Sequence, residues 1–158
     1  MRNNPFIRDI MYKKKEIKKV PLLSTWMTFM NCQFLDRTDL RAGLKMINNC
    51  INLVQNGTSI CIFPEGTRNK KYEEDVMTFH DGSFKVAEKT RCPIVPVTIN
   101  NTENVFEAHF PKVKKAHVII EYSEPIETEG LSREELKGLS SRVHDIIEAN
   151  YRKNQALL

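Results

Sequence analysis

The stretch Phe63-Pro-Glu-Gly-Thr-Arg68 combines residue types that together can bind a phosphate group. Arg68 can hold a phosphate through two parallel hydrogen bonds, and Thr67 can add a hydroxyl donor. Gly66 allows the backbone to approach a ligand closely, and Glu65 can orient Arg68 or a substrate hydroxyl. The motif therefore indicates a phosphate site, and an ordinary surface turn with one ion pair is the alternative.

A second arginine lies at the end of another apolar run, in Phe34-Leu-Asp-Arg37. Residues 32–35 are predicted to form a short strand, which would place the Arg37 guanidinium at its end. The alternative for Arg37 is a salt bridge at the start of the following helix. Two arginines that follow predicted strands favour a shared anionic ligand more than one does.

The hydrophobic pattern predicts alternating helices and strands. Apolar residues spaced three or four apart predict a helix that stops at Gly57, with one apolar face formed by Leu40, Leu44, Ile47, Ile51 and Val54. The sequence further predicts a strand over 58–63, a helix over 83–90, a buried strand over 94–99 and a strand over 116–122. Ser132-x-x-Glu135 is a capping box and predicts the start of the last helix.

Strands separated by helices predict an α/β fold, with a mixed, partly parallel sheet flanked by helices. The 158 residues, of which 41% are hydrophobic, suit one domain. We expect a basic and apolar helical segment over 1–31, an α/β core over 32–126 and a C-terminal helix over 131–153.

Charge is concentrated at the N-terminal end, where residues 1–20 hold seven basic and two acidic side chains. This indicates an anionic partner, which could be nucleic acid, a phosphorylated metabolite or an acidic membrane, or else a solvated helix face. No apolar run reaches the roughly 18 residues of a membrane-spanning helix, and we expect neither a span nor a secretory signal. Four cysteines without a C-x-x-C pair predict buried, reduced thiols and a reducing compartment, with no metal site.

The motifs together resemble the 1-acylglycerol-3-phosphate acyltransferases. FPEGTR is preceded by FLDR and followed by Phe79-x-x-Gly82-Ser-Phe-Lys85 and Val95-Pro-Val-Thr-Ile99, in matching order and spacing over about Ile7 to Ile126. The resemblance implies a glycerolipid acyltransferase-like fold. It also implies transfer of a fatty acyl group from acyl-CoA or acyl carrier protein to 1-acylglycerol-3-phosphate, which gives phosphatidate.

The same resemblance implies roles for single residues and partners. Arg37 and Arg68 would hold the acceptor phosphate, Glu65 would help to place the acceptor, and Gly66 and Thr67 would complete the site. No cofactor is implied beyond the acyl-donor substrate. The implied partners are a phosphorylated glycerolipid, an acyl thioester and the cytoplasmic face of a membrane, and nucleic acid is not among them.

The family removes the acceptor hydroxyl proton with the histidine of an H-x-x-x-x-D motif. None of the four histidines here is followed by Asp five positions later, so we expect a member truncated at its N-terminus, without the general base. The alternative is a catalytically inactive phosphate- or lipid-binding fragment. His80, beside Asp81, is the best candidate among the histidines to replace this base, but a cationic or structural contact is its favoured interpretation. Lys85 is interpreted as a helix-face residue near the site, with contact to the phosphate as the alternative. The other histidines are interpreted as loop, strand and helix-surface residues: His109, His117 and His144.

Overall fold

The computed structural model describes residues 8–10, 25, 29, 40–67, 69 and 76–158. These residues form two compact units. The first unit contains the described residues up to Thr67 together with His80–Cys92. The second contains Asn69, residues 76–79 and Pro93–Leu158. Of the helical segment predicted over 1–31, residues 8–10, 25 and 29 are described, and the prediction is wrong at residues 8–10, which form a strand. The predicted strand over 32–35 lies outside the described residues.

The first unit contains a parallel pair of short strands, β1 (Arg8–Ile10) and β2 (Ile60–Ile62). Arg8 is paired with Ile60, and Ile10 with Ile62. The sequence predicted β2 within 58–63. Strand β1 was not predicted, because two of its three residues are the charged Arg8 and Asp9 and give no alternating apolar pattern. A parallel pair must be joined by a long crossover, and α1 (Leu40–Gln55) lies within this connection.

Helix α1 has the predicted bounds, but its buried face is centred one position away from the predicted apolar stripe. Met46 and Cys50 are buried, and they form a core cluster with Val86. Leu44, which was predicted on the buried face, is 57% exposed. The predicted stop at Gly57 is confirmed, since the glycine has a φ of +78° and its N–H donates to the Val54 carbonyl at 2.9 Å.

The predicted helix over 83–90 begins as a 3₁₀ turn, Asp81–Phe84, and continues as α2 (Lys85–Thr90). Phe84, Val86 and Ala87 are buried. The helix ends at Arg91, which adopts the left-handed conformation with a φ of +58°. Val86 packs with Met46 and Cys50 in one buried cluster, which holds α2 against α1. The same packing positions the residues that precede α2.

The second unit contains an antiparallel pair, β3 (Val97–Asn100) and β4 (Ile119–Tyr122). The prediction of a buried strand over 94–99 is only partly right, because Thr98 and Asn100 are buried whereas Ile99 is 37% exposed. Side chains alternate between the two faces of a strand, so only one face of this pair is covered. The amide of Asn100 donates to the Tyr151 carbonyl at 3.0 Å on that face.

The predicted C-terminal helix is two helices, α3 (Arg133–Lys137) and α4 (Leu139–Gln155), which are separated at Gly138. The capping box is confirmed: the Ser132 N–H donates to Glu135 Oε2 at 2.8 Å, and the Glu135 N–H donates to Ser132 Oγ at 3.3 Å. Leu136 and Leu139, on either side of the break, are both buried. The fold class is mixed α/β, as the sequence predicted.

Candidate functional site

The first part of the predicted phosphate motif lies on a tight turn directly after β2. The N–H of Gly66 donates to the Phe63 carbonyl at 3.1 Å, which closes a four-residue turn. Gly66 has a φ of +64°, in the left-handed region that glycine enters without steric cost. Pro64 and Glu65 are half-buried, while Thr67 is exposed. The turn therefore presents backbone and hydroxyl groups at the end of a strand.

His80 packs against this turn. A Cβ built on Gly66 would lie 2.9 Å from His80 Cδ2 and 3.3 Å from its Nε2, so the imidazole occupies the space that a larger residue at 66 would need. The His80 N–H donates to the Pro64 carbonyl at 2.9 Å. The His80 carbonyl in turn accepts from the Ser83 N–H at 2.9 Å. His80 thus connects the turn to the residues that begin α2.

The described part of the predicted site brings Glu65, Gly66 and Thr67 together with His80. The contact between Gly66 and His80 was not predicted from the sequence, because fourteen positions separate them and no periodicity relates them. The two predicted phosphate ligands, Arg37 and Arg68, lie outside the described residues. Their roles, and that of Glu65, stay predictions.

Lys85 begins α2 and has a local partner. Its Nζ lies 2.7 Å from Glu88 Oε2 and 2.9 Å from Oε1, three residues further along the helix. The side chain of Lys85 is 46% exposed, so this ion pair is a surface pair. The structure therefore places Lys85 on a helix face, as predicted, with its ammonium group at Glu88.

The remaining histidines lie in the second unit. His109 ends a 3₁₀ turn. The interpretation of His117 as a strand residue is wrong, because β4 begins only at Ile119. The interpretation of His144 as a helix-surface residue is wrong, because its side chain is only 23% exposed. Its Nε2 lies 3.3 Å from the Val76 carbonyl oxygen, and its ring meets Phe79 edge-on with centroids 4.9 Å apart. His144 therefore fixes residues 76–79 against α4.

Among the described residues, Cys50, Cys61 and Cys92 form no disulfide. Cys50 is buried, as predicted, whereas Cys61 and Cys92 are only half-buried. Burial raises the pKa of the Cys50 thiol to about 11, and this outweighs a backbone hydrogen bond that acts in the opposite direction. Among the described residues, no three His, Cys, Asp or Glu side chains are grouped to hold a metal ion. Within the same ranges, no helix is long and apolar enough to cross a bilayer.

Comparison with known proteins identifies the family. The sequence profile of the family named Acyltransferase matches residues 7–100, which is more than half of the chain. The chain belongs to the acyltransferase family. The matched residues include the turn after β2, His80 and α2.

Individual relatives agree with this assignment. The chain is 30% identical to a 1-acyl-sn-glycerol-3-phosphate acyltransferase of Saccharomyces cerevisiae over 84% of its own length and 44% of the relative's. It is 32% identical to an enzyme of the same name from Borreliella burgdorferi, over 87% of this chain and 54% of that one. The chain thus spans about half the length of the curated relatives it matches.

The fold is also similar to a solved structure. The crystal structure of the 1-acyl-sn-glycerophosphate (LPA) acyltransferase PlsC from Thermotoga maritima matches with a TM-score of 0.75 and 28% sequence identity. The match covers 96% of this chain and 58% of the Thermotoga chain. The resemblance to an acyltransferase fold is therefore confirmed.

Proposed function

We propose that this chain binds the phosphate of 1-acylglycerol-3-phosphate at residues 63–68, which include the turn closed between Phe63 and Gly66. The observation that carries the proposal is the turn itself: it follows β2, and its Gly66 has a left-handed conformation and contacts His80. The His80 ring occupies the space that a side chain at position 66 would need, so glycine at this position lets the ring pack against the turn and hold its backbone. The similarity to enzymes that act on this acceptor supports the choice of ligand.

In the proposed complex, Arg68 forms two hydrogen bonds to the phosphate and Arg37 supplies a second positive charge. Charge-assisted bonds of this kind are roughly twice as strong as neutral ones. The Thr67 hydroxyl is exposed and donates to a remaining phosphate oxygen. Glu65 orients Arg68 or the free hydroxyl of the acceptor. The phosphate thereby determines where the acceptor hydroxyl lies.

The proposed reaction of the family is acyl transfer to this hydroxyl. The hydroxyl oxygen attacks the thioester carbonyl of acyl-CoA or acyl carrier protein, a base takes the hydroxyl proton, and the thiol leaves. A positioned base contributes about a hundred- to ten-thousand-fold to such a step. We propose that these 158 residues hold the lipid acceptor at the cytoplasmic face of a membrane.

A second candidate function is acceptor binding without acyl transfer. It is favoured by one observation: none of the four histidines in these 158 residues has an Asp five positions later. His80 contacts the turn, but its role in this proposal is to support the turn and not to remove a proton.

Both candidates are tested with one set of ligands. Titration calorimetry would compare a short-chain 1-acylglycerol-3-phosphate with the matching 1-acylglycerol, which differs only in lacking the phosphate. We expect heat of binding for the first and none for the second; equal affinity for both would overturn the phosphate site. Formation of radiolabelled phosphatidate from labelled acyl-CoA then distinguishes the two candidates, because binding without product at rates above the uncatalysed reaction supports the second.

A further inference from the structure

A loop of the second unit, residues 106–115, exposes large apolar side chains beside lysines. Phe110 and Val113 are each 73% exposed. Lys112, Lys114 and Lys115 are exposed as well, and none of these lysines has an ion-pair partner among the described residues. The loop contains a single acidic residue, Glu107. Apolar groups and unpaired positive charge therefore occur on the same surface segment.

Backbone hydrogen bonds hold this loop in one conformation. The Lys114 N–H donates to the Val105 carbonyl at 2.9 Å and closes the loop. Within it, the Lys112 N–H donates to the His109 carbonyl at 2.9 Å. The rings of Phe106 and Phe110 meet edge-on, with centroids 5.3 Å apart. The exposed side chains are thus presented by an ordered segment, and little conformational entropy would be lost when a partner covers them.

Solvation by water is sufficient to explain why the lysines are on the surface. It does not explain why Phe110 and Val113 are exposed in the same loop. Phe110 and Val113 are each 73% exposed, and covering them with an apolar partner beside the lysines would be favourable. A partner that matches both features has an anionic surface above an apolar interior. A bilayer with anionic phospholipids has this arrangement, and the aliphatic stems of lysine can follow apolar groups inward while the ammonium groups remain among the headgroup phosphates.

We propose that residues 106–115 form a docking site for an anionic phospholipid surface. Phe110 and Val113 enter the boundary between headgroups and acyl chains, and the three lysines bind the lipid phosphates. Each lysine near such a surface increases binding about fivefold. This membrane contact goes beyond the acceptor site proposed above, and it does not depend on the turn at Gly66.

The test places a fluorescent reporter in the loop. Trp26 is the only tryptophan of the chain, so Trp26→Phe combined with Val113→Trp leaves one tryptophan, at position 113. A matched control combines Trp26→Phe with Leu157→Trp, since Leu157 is 65% exposed and lies at the end of α4. Both proteins are mixed with vesicles of phosphatidylcholine alone or with phosphatidylglycerol, prepared with brominated acyl chains that quench a tryptophan only on close contact.

We expect anionic vesicles to quench the tryptophan at position 113 several-fold more than the one at position 157. Vesicles of phosphatidylcholine alone are expected to quench neither. Replacing the three lysines by glutamine should raise the lipid concentration needed for half-maximal quenching at least tenfold. The proposal is overturned by equal quenching at both positions or by none, and equally if duplex DNA shifts the emission at position 113 while vesicles do not.

The same reporter separates this proposal from the acceptor site. Arg68→Ala in the Val113→Trp background should leave quenching unchanged, even though it removes a proposed phosphate ligand. A loss of phosphate binding with quenching retained would thus contradict only the proposed function. Loss of quenching with phosphate binding retained would contradict only the docking site.

Discussion

Gly66 and His80 are in contact across the turn that follows β2, with His80 Cδ2 only 2.9 Å from the position of a Cβ on Gly66. The backbone N–H of the same histidine donates to the Pro64 carbonyl. Side chain and main chain of one residue therefore hold the turn from two sides. If the turn binds a phosphate, the position of its backbone groups depends on this packing.

We predict that Gly66→Ala destabilises the protein and weakens phosphate binding. A non-glycine residue in the left-handed region costs roughly 1–2 kcal/mol. The added methyl group would also displace the His80 ring. Gly57→Ala is a matched control, since Gly57 also has a positive φ but no atom within 4 Å of its Cβ position.

Urea unfolding of these variants, followed by circular dichroism, isolates the contact with His80. Gly66→Ala should cost more free energy of unfolding than Gly57→Ala, and this excess should disappear when both glycine variants are measured in a His80→Ala background. Identical losses for the two glycine variants in the parent protein would show that the contact carries no free energy.

The capping box at the start of α3 gives a prediction on pH. The pKa of the Glu135 carboxyl is lowered, first by the Ser132 backbone N–H and then by the Ser132 hydroxyl, which both hydrogen-bond to the charged form. A lowered folded-state pKa stabilises the protein above the unfolded value of about 4.3. This stabilisation is lost as the pH falls through the folded-state pKa.

We therefore expect Glu135→Gln to be less stable than the parent at pH 7 and to converge with it in strong acid. Ser132→Ala should cost about 1 kcal/mol at pH 7, the usual value of an N-cap. Urea unfolding of the parent and of the two variants at pH 7 and pH 3 measures these differences in the free energy of unfolding. A difference between parent and Glu135→Gln that stays constant over this range would contradict the hydrogen bond between carboxylate and cap.

The buried thiol of Cys50 should be the least reactive of the described cysteines. With a pKa raised to about 11, it holds almost no thiolate at pH 8, and the thiolate is the nucleophile. In the native protein, iodoacetamide should modify Cys61 and Cys92 before Cys50. In the protein unfolded by urea, it should modify all three. Peptide mass spectrometry after timed quenching measures the rates. Modification of Cys50 as fast as Cys92 in the native protein would contradict its burial.

Several elements could be predicted from local sequence because their signals are local. The spacing of apolar residues in α1, Gly57 at its end and the Ser132 capping box each depend on neighbours within four positions. The contact of Gly66 with His80 and the one-sided burial of β3 could not be predicted in this way. The contact and the one-sided burial each depend on which segments pack together. The short strands contain too few residues for their sequence to specify this packing.

The roles of the residues in the candidate site were predicted from a sequence motif, without information on how the residues pack. Glu65, Gly66 and Thr67 lie on one turn because they are consecutive, and the structure adds the tight Phe63–Gly66 hydrogen bond to this. His80 was singled out because it follows the motif in sequence. From the sequence, His80 could make either a cationic or a structural contact. Its position against Gly66 favours the structural contact.

The most direct test of the acceptor site is the affinity of Arg68→Ala for short-chain 1-acylglycerol-3-phosphate, measured by titration calorimetry beside the parent and Arg133→Ala. Arg133 is an exposed arginine at the start of α3, so this control removes the same charge elsewhere. We expect Arg68→Ala to lose about 1.5–3 kcal/mol of binding free energy, the value of a hydrogen bond to a charged group, and Arg133→Ala to bind as the parent does. Equal affinity of all three proteins would contradict the assignment of the phosphate site to residues 63–68.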